Sequence, residues 1–263
     1  MGGADRVRLD RVLAERGLVR SRSAATELIR HGRVRVNGRP VSRASILVGG
    51  RDHVEVETDP YVSRAAHKLA GALADLSLDI ADLSALDAGA STGGFTQVLL
   101  RGGCREVIAV DVGHDQLADL IRSDPRVRVL ERLNVRDLTL RHLHSRRVDL
   151  AVADLSFISL RMVLPALTAA VHPAGSLLLM VKPQFEVGRD RLGEGGVVRS
   201  PQLHQAAISG VVDAAAELGW FAVAVVPSRL PGPSGNREFF VLLRTHAPEA
   251  PVDLEVSLGV TTG

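Results

Sequence analysis

From residue 63 onward, short apolar segments alternate with segments of helical periodicity, and this alternation constrains the fold more than any other feature. Repeated strand–helix alternation with apolar strands predicts an α/β domain with a mostly parallel, Rossmann-like sheet and helices on both faces. Ligands of such sheets bind at the carboxyl ends of the strands. The pattern predicts one long helix over residues 201–219 and strands over residues 85–91, 106–113, 127–134, 148–156, 175–185, 221–228 and 237–245.

Length and composition indicate a folded cytoplasmic protein. The 263 residues suffice for one large and one small domain, and the single Cys104 excludes an internal disulfide framework. No secretion signal and no apolar run of membrane-helix length is present, so stable membrane insertion is not expected. No histidine or cysteine cluster has metal-site spacing, so no metal is expected, and nothing in the sequence requires more than a monomer.

The net charge of +2 hides an asymmetry between the two ends of the chain. Residues 1–45 contain eleven arginines and four acids, whereas the remainder of the chain is mildly acidic. This distribution predicts an anionic partner held by the N-terminal segment. Charge alone leaves open a solvated basic face without any partner.

Residues 1–57 predict a small α+β unit with two helices and a hairpin. Ser21 or Ser23 is the candidate cap of the second helix, Gly32 its stop, and Asn37-Gly38 a hairpin turn. Because this unit has no aromatic residue, phosphate contact and shape reading of folded RNA fit better than base stacking. The arginines expected to bind RNA are Arg20, Arg22, Arg30, Arg33 and Arg35. A linker is predicted over residues 58–62 and the main domain over residues 63–263.

The turn in "LDAGASTGGFTQVLL" contains Gly89, Gly93 and Gly94, which permit close approach of a ligand at the start of a helix. About twenty residues later, Asp111 ends the second strand, where an acid can hold ribose hydroxyls. Asn134 follows the third strand. This order resembles the fold of S-adenosylmethionine methyltransferases. It favours that fold over a nicotinamide dehydrogenase, whose G-x-G-x-x-G spacing is absent.

Lysine is nearly absent from the chain, which has 32 basic residues but only Lys68 and Lys182 as lysines. Arginine cannot replace lysine where the chemistry needs a compact ammonium group. Lys182 ends the fifth predicted strand, Asp154 ends the fourth, and Glu238 opens the last. A surface salt bridge is the alternative for each residue taken singly, but two lysines together with two strand-end acids favour a shared site.

The set Lys68, Asp154, Lys182 and Glu238 resembles the catalytic tetrad of FtsJ-type ribose 2′-O-methyltransferases. "ADLSFISL", "VKPQFEVG" and "LPGPSGNREFF" are similar to the TlyA family of hemolysin-type rRNA methyltransferases, over nearly the whole chain. "RSRSAATELIRHGRVRVNGRPV" resembles the RNA-binding domain named after small-subunit ribosomal protein S-four. Residues 59–62 depart from the Arg-x-Trp-Val linker of the TlyA family.

The resemblance implies methylation of cytidine ribose 2′-hydroxyls in small- or large-subunit rRNA, with S-adenosyl-L-methionine as cofactor and ribosomal subunits as partners. The cofactor contacts that it implies are Asp87, Gly89, Ser91, Thr92, Gly93, Gly94, Phe95, Asp111, Val112, Asn134 and Asp154.

Lys182 is the candidate contact to the 2′-oxygen. As an ammonium it stabilises a developing alkoxide, and as a neutral amine it acts as the base. The nearby carboxylates of Asp154 and Glu238 favour the ammonium, while Lys68 is expected to position the nucleotide or to offset the acids.

Further residues are candidate RNA contacts in the main domain. Phe157 can stack on a flipped base, with core packing as the equal alternative. Ser234 and Asn236 can read the edge of that base, although both are also ordinary turn residues. The Gly-rich segment over residues 186–198 predicts a mobile flap, in which Arg189 can meet phosphate.

Two other classes of function remain as alternatives. The hemolysin name of the family suggests a membrane-active cytolysin, against which the lack of a spanning or basic amphipathic aromatic helix argues. A non-catalytic RNA-binding assembly factor is the other alternative, and the complete tetrad argues against it.

Overall fold

The computed structural model describes residues 6–19, 21–30, 32–57, 59–250 and 252–254. The chain divides into two compact units, with the boundary between Pro60 and Tyr61. Within the described ranges no helix combines the length and the apolarity that crossing a bilayer requires.

In its described residues, the N-terminal unit contains two helices and two small antiparallel sheets, with strand orders β1-β4 and β3-β2-β5. Its core is formed by apolar residues of both helices and of the strands, Leu13 and Ile29 among them. The elements are β1 (Val7–Arg8), α1 (Leu9–Glu15), α2 (Arg22–Arg30), β2 (Val34–Val36), β3 (Arg39–Pro40), β4 (Leu47–Val48) and β5 (Val54–Val56).

The local signals of this unit are confirmed. Ser21 Oγ accepts the backbone N–H of Ala24 at 3.2 Å, so Ser21 rather than Ser23 caps α2. Asn37 and Gly38 both have positive φ, 54° and 76°, as a two-residue hairpin turn requires.

The second unit is a three-layer α/β structure. Its strands and helices are α3 (Ala65–Asp75), β6 (Ser84–Ala88), α4 (Gly94–Arg101), β7 (Glu106–Val110), α5 (Asp119–Arg122), β8 (Val127–Leu130), β9 (Val148–Ala153), α6 (Leu164–Ala170), β10 (Val171–Val181), α7 (Pro183–Glu186), α8 (Pro201–Glu217), β11 (Phe221–Pro227) and β12 (Phe239–Arg244). Five 3-10 helices lie between them, at Val135–Asp137, Leu140–Leu143, Leu160–Met162, Arg189–Arg191 and Glu194–Gly196.

The seven strands of this unit form one sheet in the order β11-β12-β10-β9-β6-β7-β8. All neighbouring strands from β10 to β8 are parallel, whereas β12 runs antiparallel to both of its neighbours. The chain leaves β6 toward β7 and later returns to β9 on its other side. The switch point of the sheet, where ligands of such folds bind, therefore lies between β6 and β9.

Strand β10 shows how the sequence buries both faces of this sheet. Its side chains alternate, so that Leu177, Leu179 and Val181 enter one apolar cluster while Leu178 and Met180 enter the other. Residues 177–181 of this strand are covered on both faces and have no polar positions, which explains their continuous apolar run.

The predicted strand over residues 175–185 differs from the observed β10 at both ends. The strand begins earlier, at Val171, and ends at Val181. Pro183 then occupies the first turn of α7, where its fixed φ and missing N–H are tolerated. Lys182 is thereby left at the junction between a strand and a short helix.

Candidate active site at the carboxyl edge of the sheet

The four residues of the expected catalytic tetrad lie in two ion pairs. Asp154 follows β9 and Lys182 follows β10, both at the carboxyl edge of the parallel strands. Val181 is paired with Phe239, so the next residues outward, Lys182 and Glu238, are neighbours across the two strands. Because β12 is antiparallel, its beginning lies at the edge where the parallel strands end.

Lys182 makes polar contacts with two residues that follow β9. Its Nζ lies 2.6 Å from Asp154 Oδ1 and donates a hydrogen bond to Ser156 Oγ at 2.9 Å. The side chain is only 9% exposed. An ammonium has three N–H donors: one is used by Ser156 Oγ, while the contact with Asp154 Oδ1 is an ion pair without hydrogen-bond geometry.

Lys68 and Glu238 form the second ion pair. Lys68 Nζ donates to Glu238 Oε2 at 2.5 Å, and the two residues are 4% and 2% exposed. Lys68 comes from the middle of α3, which presents it between Ala66 and Leu69 of the core. Such a buried pair is maintained only when both charges are present, since either one alone is strongly disfavoured.

A cavity of about 690 Å³ opens over the ends of β6, β7 and β9, and Asp154 is the member of the tetrad that lines it. Gly89 is required at its base, because a Cβ there would meet the backbone oxygen of Asp154 at 2.6 Å, and φ is +88°. The lining residues are Gly89, Ser91, Asp111, Val112, Gln116, Leu133, Asn134, Val135, Arg136, Asp154, Leu155, Ser156, Phe157, Ile158 and Val163.

The carboxylate of Asp111 is held in place by two backbone donors. Ser91 N–H donates to Oδ2 at 2.8 Å and Gly113 N–H donates to Oδ1 at 2.7 Å. Each oxygen retains a free lone pair for a hydroxyl donor. Asn134 lies across the cavity and accepts the N–H of Arg136 at 3.1 Å, which orients its amide at the start of a 3-10 helix.

Six of the eleven expected cofactor residues line this cavity, namely Gly89, Ser91, Asp111, Val112, Asn134 and Asp154. Thr92, Gly93 and Gly94 instead form the turn into α4, and Phe95 is a core residue whose ring lies 6.1 Å from that of Phe240. These four residues shape the turn without lining the cavity.

Asp87 also lies outside the cavity, fully buried in β6. Its Oδ2 accepts the Thr96 hydroxyl at 2.6 Å, while Oδ1 has no partner. Burial raises the pKa of the Asp87 carboxyl to about 7, opposed by the Thr96 hydrogen bond and assisted by the charge of Asp154. A cofactor contact by Asp87 stays a prediction.

Phe157 is 92% exposed and lines the cavity, so the core-packing alternative is wrong. Its ring centroid lies 5.3 Å from that of Phe185. The backbone of Phe157 has a φ of +64°, an unusual conformation for a bulky residue.

The other expected RNA contacts fall into different environments. Arg22, Arg30 and Arg35 are exposed, Arg33 is half-buried beside Asp59, and Arg20 lies outside the described residues. Arg189 and Ser234 are exposed.

Asn236 is buried. It accepts the Val198 N–H at 2.8 Å and donates to Gly196 O at 3.1 Å. Its amide therefore holds the end of the expected flap in place. Base reading by Asn236 stays a prediction, and the same amide already has this structural role.

The sequence did not indicate two polar residues at this site. Ser156 lies in the motif "ADLSFISL", but no sequence pattern predicts that an exposed loop serine contacts a lysine. Glu186, at the end of α7, is 8% exposed and accepts the Leu160 N–H at 2.7 Å and the Ser159 hydroxyl at 2.5 Å. Burial raises its pKa, opposed by these two hydrogen bonds and by the charge of Arg161.

This sheet order, with a cavity over the switch point and an acid after the second strand of the sheet, defines the class of Rossmann-like methyltransferases. A family model described as FtsJ-like methyltransferase matches residues 61–245, and an S4 domain model matches residues 7–54. The chain therefore belongs to the FtsJ-like methyltransferase family and carries an S4 domain, as the sequence resemblance predicted. Membership in this family implies the use of S-adenosylmethionine.

Relatives of known name cover nearly the whole chain. It is 51% identical over 250 residues to the 16S/23S rRNA (cytidine-2′-O)-methyltransferase TlyA of Mycobacterium tuberculosis, covering 94% of this chain and 93% of the relative. It is 33% identical to Hemolysin A of Brachyspira hyodysenteriae, covering 89% of this chain and 98% of the relative. A solved structure from Streptococcus thermophilus that also carries the name hemolysin superposes with a TM-score of 0.76 at 33% identity, covering 98% of this chain and 96% of that one.

Proposed function

We propose that this protein transfers a methyl group from S-adenosylmethionine to the ribose 2′-hydroxyl of a cytidine in ribosomal RNA. The observation that carries the proposal is the pairing of the only two lysines in the chain, Lys182 with Asp154, which lines the cavity, and Lys68 with Glu238. The relative from Mycobacterium tuberculosis, which is named for this reaction, supports the choice of cytidine and of rRNA.

The residues that line the cavity fit S-adenosylmethionine. Asp111 offers acceptors for ribose hydroxyls, and Val112 and Leu133 offer apolar surface for a purine. Gly89 lets the turn after β6 pack directly on the Asp154 backbone, which a side chain would prevent, and so fixes the shape of the cavity wall. A volume of about 690 Å³ accommodates a cofactor together with part of a nucleotide.

When bound, the cofactor supplies an activated sulfonium methyl group, so the protein has to align the 2′-oxygen and assist loss of its proton. Lys182 is suited to that task because Ser156 Oγ takes one of its three N–H donors, which leaves a donor for the 2′-oxygen while the ion pair with Asp154 holds the charge in place. Asp154 and Ser156 hold the ammonium in one orientation. The ammonium then stabilises the negative charge that develops on the oxygen as the proton departs.

The Lys68–Glu238 pair acts beside Lys182 as a charge-balanced support. Glu238 is the cross-strand neighbour of Lys182, and Lys68 neutralises it within the protein. Because Lys68 compensates its charge, the Glu238 carboxylate can accept a further hydrogen bond from the nucleotide or the cofactor.

The S4 domain is the RNA-binding part of the proposal. Arg22, Arg30 and Arg35 are exposed on α2 and the hairpin, and phosphate groups are their natural partners. Phe157, exposed at the cavity, is proposed to stack on the target base. The proposed substrate is ribosomal RNA or a ribosomal subunit in the cytoplasm, and one copy of the chain supplies every residue of the proposed site.

Methyl transfer from labelled S-adenosylmethionine to separated ribosomal subunits lacking the modification tests this proposal. Wild-type protein should place label on ribose, and Lys182→Ala should not. Arg147→Ala is the matched control, because Arg147 is an exposed cation just before β9, at the opposite edge of the sheet.

Absence of transfer to both subunits, with cofactor binding retained, would replace the proposal with a non-catalytic RNA-binding factor. Leakage of dye from liposomes at micromolar protein would instead revive a membrane activity.

A further inference from the structure

Glu186 is a buried acid for which the proposed mechanism has no use. Its carboxylate accepts hydrogen bonds from the Ser159 hydroxyl and the Leu160 N–H, and it forms an ion pair with the Arg161 guanidinium at 3.5 Å. Arg161 also donates to the Glu186 backbone carbonyl at 3.2 Å. All of these donors belong to residues 156–161, here called the Phe157 segment.

The Phe157 segment is attached to the chain after β10 at three successive points. Lys182 bonds Ser156, Phe185 packs on Phe157, and Glu186 binds residues 159–161. Both segments start at the carboxyl edge of the sheet: the Phe157 segment follows Asp154, and the segment that contains α7 follows Val181. Lys182 precedes helix α7 and Glu186 ends it, so both residues face the Phe157 segment and contact it at different points.

Phe157 needs such support because its own contacts do not fix it. A φ of +64° costs on the order of 1–3 kcal/mol for a non-glycine residue, and it persists only where surrounding contacts enforce it. The ring is 92% exposed, so burial contributes little. The hydrogen bonds that hold the segment immediately after Phe157 are those to Glu186.

We infer that Glu186 is a positioning residue, whose carboxylate sets the conformation of the Phe157 segment and thereby orients Phe157 toward the acceptor nucleotide. A carboxylate suits this task because it accepts on both oxygens, toward an N–H, an O–H and a guanidinium together. That the orientation of Phe157 affects catalysis rests on the proposed function. That Glu186 sets the conformation of the Phe157 segment is independent of the proposed function.

The test compares Glu186→Gln with Ser159→Ala and a matched control. Glutamine keeps the volume but presents a donor to one partner and removes the charge that Arg161 faces. Ser159→Ala removes one donor and leaves the buried acid in place. Asp149→Asn is the control, because Asp149 likewise accepts a backbone N–H and a hydroxyl, both from Ser84, and an arginine, Arg105, but at the opposite edge of the sheet.

Hydrogen–deuterium exchange of the protein without RNA gives the first readout. Glu186→Gln should speed exchange within residues 157–161 by about tenfold, the loss of roughly one hydrogen bond, and Ser159→Ala by less. Asp149→Asn should leave these amides unchanged. Unchanged exchange in Glu186→Gln would overturn the inference.

Methyl transfer in a double-mutant cycle gives the second readout. Glu186→Gln should lower kcat by about tenfold or more in the wild-type background, but by less than about twofold in the Phe157→Ala background. Losses that multiply would show that Glu186 acts on something other than Phe157. If wild-type protein methylates no rRNA, the proposed function fails, while the exchange measurement still decides whether Glu186 positions the segment.

Discussion

Lys68 Nζ and Glu238 Oε2 lie 2.5 Å apart in the protein interior, although 170 positions separate the two residues in the chain. The pair joins the middle of α3 to the first residue before β12. It therefore links the packing of a surface helix to the geometry of the proposed catalytic edge.

Breaking this pair from one side should destabilise the protein more than removing it entirely. Lys68→Met should lower the free energy of unfolding by about 3–5 kcal/mol, since Glu238 is left buried and unpaired. The Lys68→Met/Glu238→Leu double variant should recover most of that loss, yet methyl transfer should remain absent. Urea unfolding and the transfer assay measure the two effects. A double variant less stable than either single variant would contradict the account.

Lys182→Arg should be nearly as inactive as Lys182→Ala, with kcat reduced by about a hundredfold or more. The buried position accepts a compact ammonium between Asp154 and Ser156, and a planar guanidinium with a fixed fork does not reproduce that geometry. Cofactor affinity, measured by calorimetry, should change by less than about threefold, because other residues line most of the cavity. Retained turnover in Lys182→Arg would show that positive charge alone is sufficient at this position.

Asp87 should make the protein less stable as the pH rises from about 4 to about 7. Its usual pKa is 3.8, whereas burial raises the folded-state pKa to about 7. Between these values the folded state keeps a proton that the unfolded state has lost, so the free energy of unfolding falls. Asp87→Asn should remove this dependence and raise the melting temperature at pH 8 by at least about 2–4 °C.

The control for Asp87→Asn is Asp75→Asn, which alters an exposed acid paired with Arg229. The Arg229 hydrogen bond lowers the pKa of Asp75, so this variant should lack the gain at high pH. Equal pH profiles for wild type and Asp87→Asn would show that Asp87 is ionised in the folded protein.

Asn236→Ala should loosen the segment that ends at Val198. The substitution removes two hydrogen bonds, to Val198 N–H and Gly196 O, and leaves the buried N–H unsatisfied at a cost of about 1–3 kcal/mol. Limited proteolysis without RNA should cut within residues 186–198 several times faster than in wild type. Ser234→Ala, in the same loop but exposed, should leave the cleavage rate unchanged. Equal rates for both variants would argue that other contacts hold the segment.

Arg30→Ala should weaken RNA binding through phosphate contact rather than base reading. Arg30 is exposed in the last turn of α2. Loss of one phosphate contact should reduce the slope of log affinity against log salt by about 0.7–0.9, with little dependence on RNA sequence. Filter binding across a salt series measures the slope, with Arg147→Ala as control. An unchanged slope would remove Arg30 from the RNA-binding surface.

Much of the site was predictable because strand ends are local features. An apolar run that stops at a polar residue places that residue at a sheet edge, which located Asp111, Asp154 and Lys182 without coordinates. The scarcity of lysine singled out Lys68 as well, although nothing local in α3 indicates which acid it meets.

Other residues could not be assigned from sequence because burial is a long-range property. Asp87 and Glu186 have the same side-chain chemistry as exposed acids, and only the packed layers around them exclude water. Asn236 was proposed from its loop to read a base edge, and nothing local indicated that its amide also accepts the Val198 N–H inside the fold. Hydropathy patterns contain no information on such cases.

The sequence by itself determined the class of fold and the two-unit composition through local periodicity and spacing, and it indicated the proposed catalytic groups through the scarcity of lysine and the resemblance to the FtsJ-type tetrad. The tertiary structure alone decided the pairing of those groups, Lys68 with Glu238 and Lys182 with Asp154, and the attachment of the Phe157 segment to Glu186. Which charges meet depends on how helices pack on the sheet, and packing is set by the summed contacts of the whole domain rather than by any local pattern.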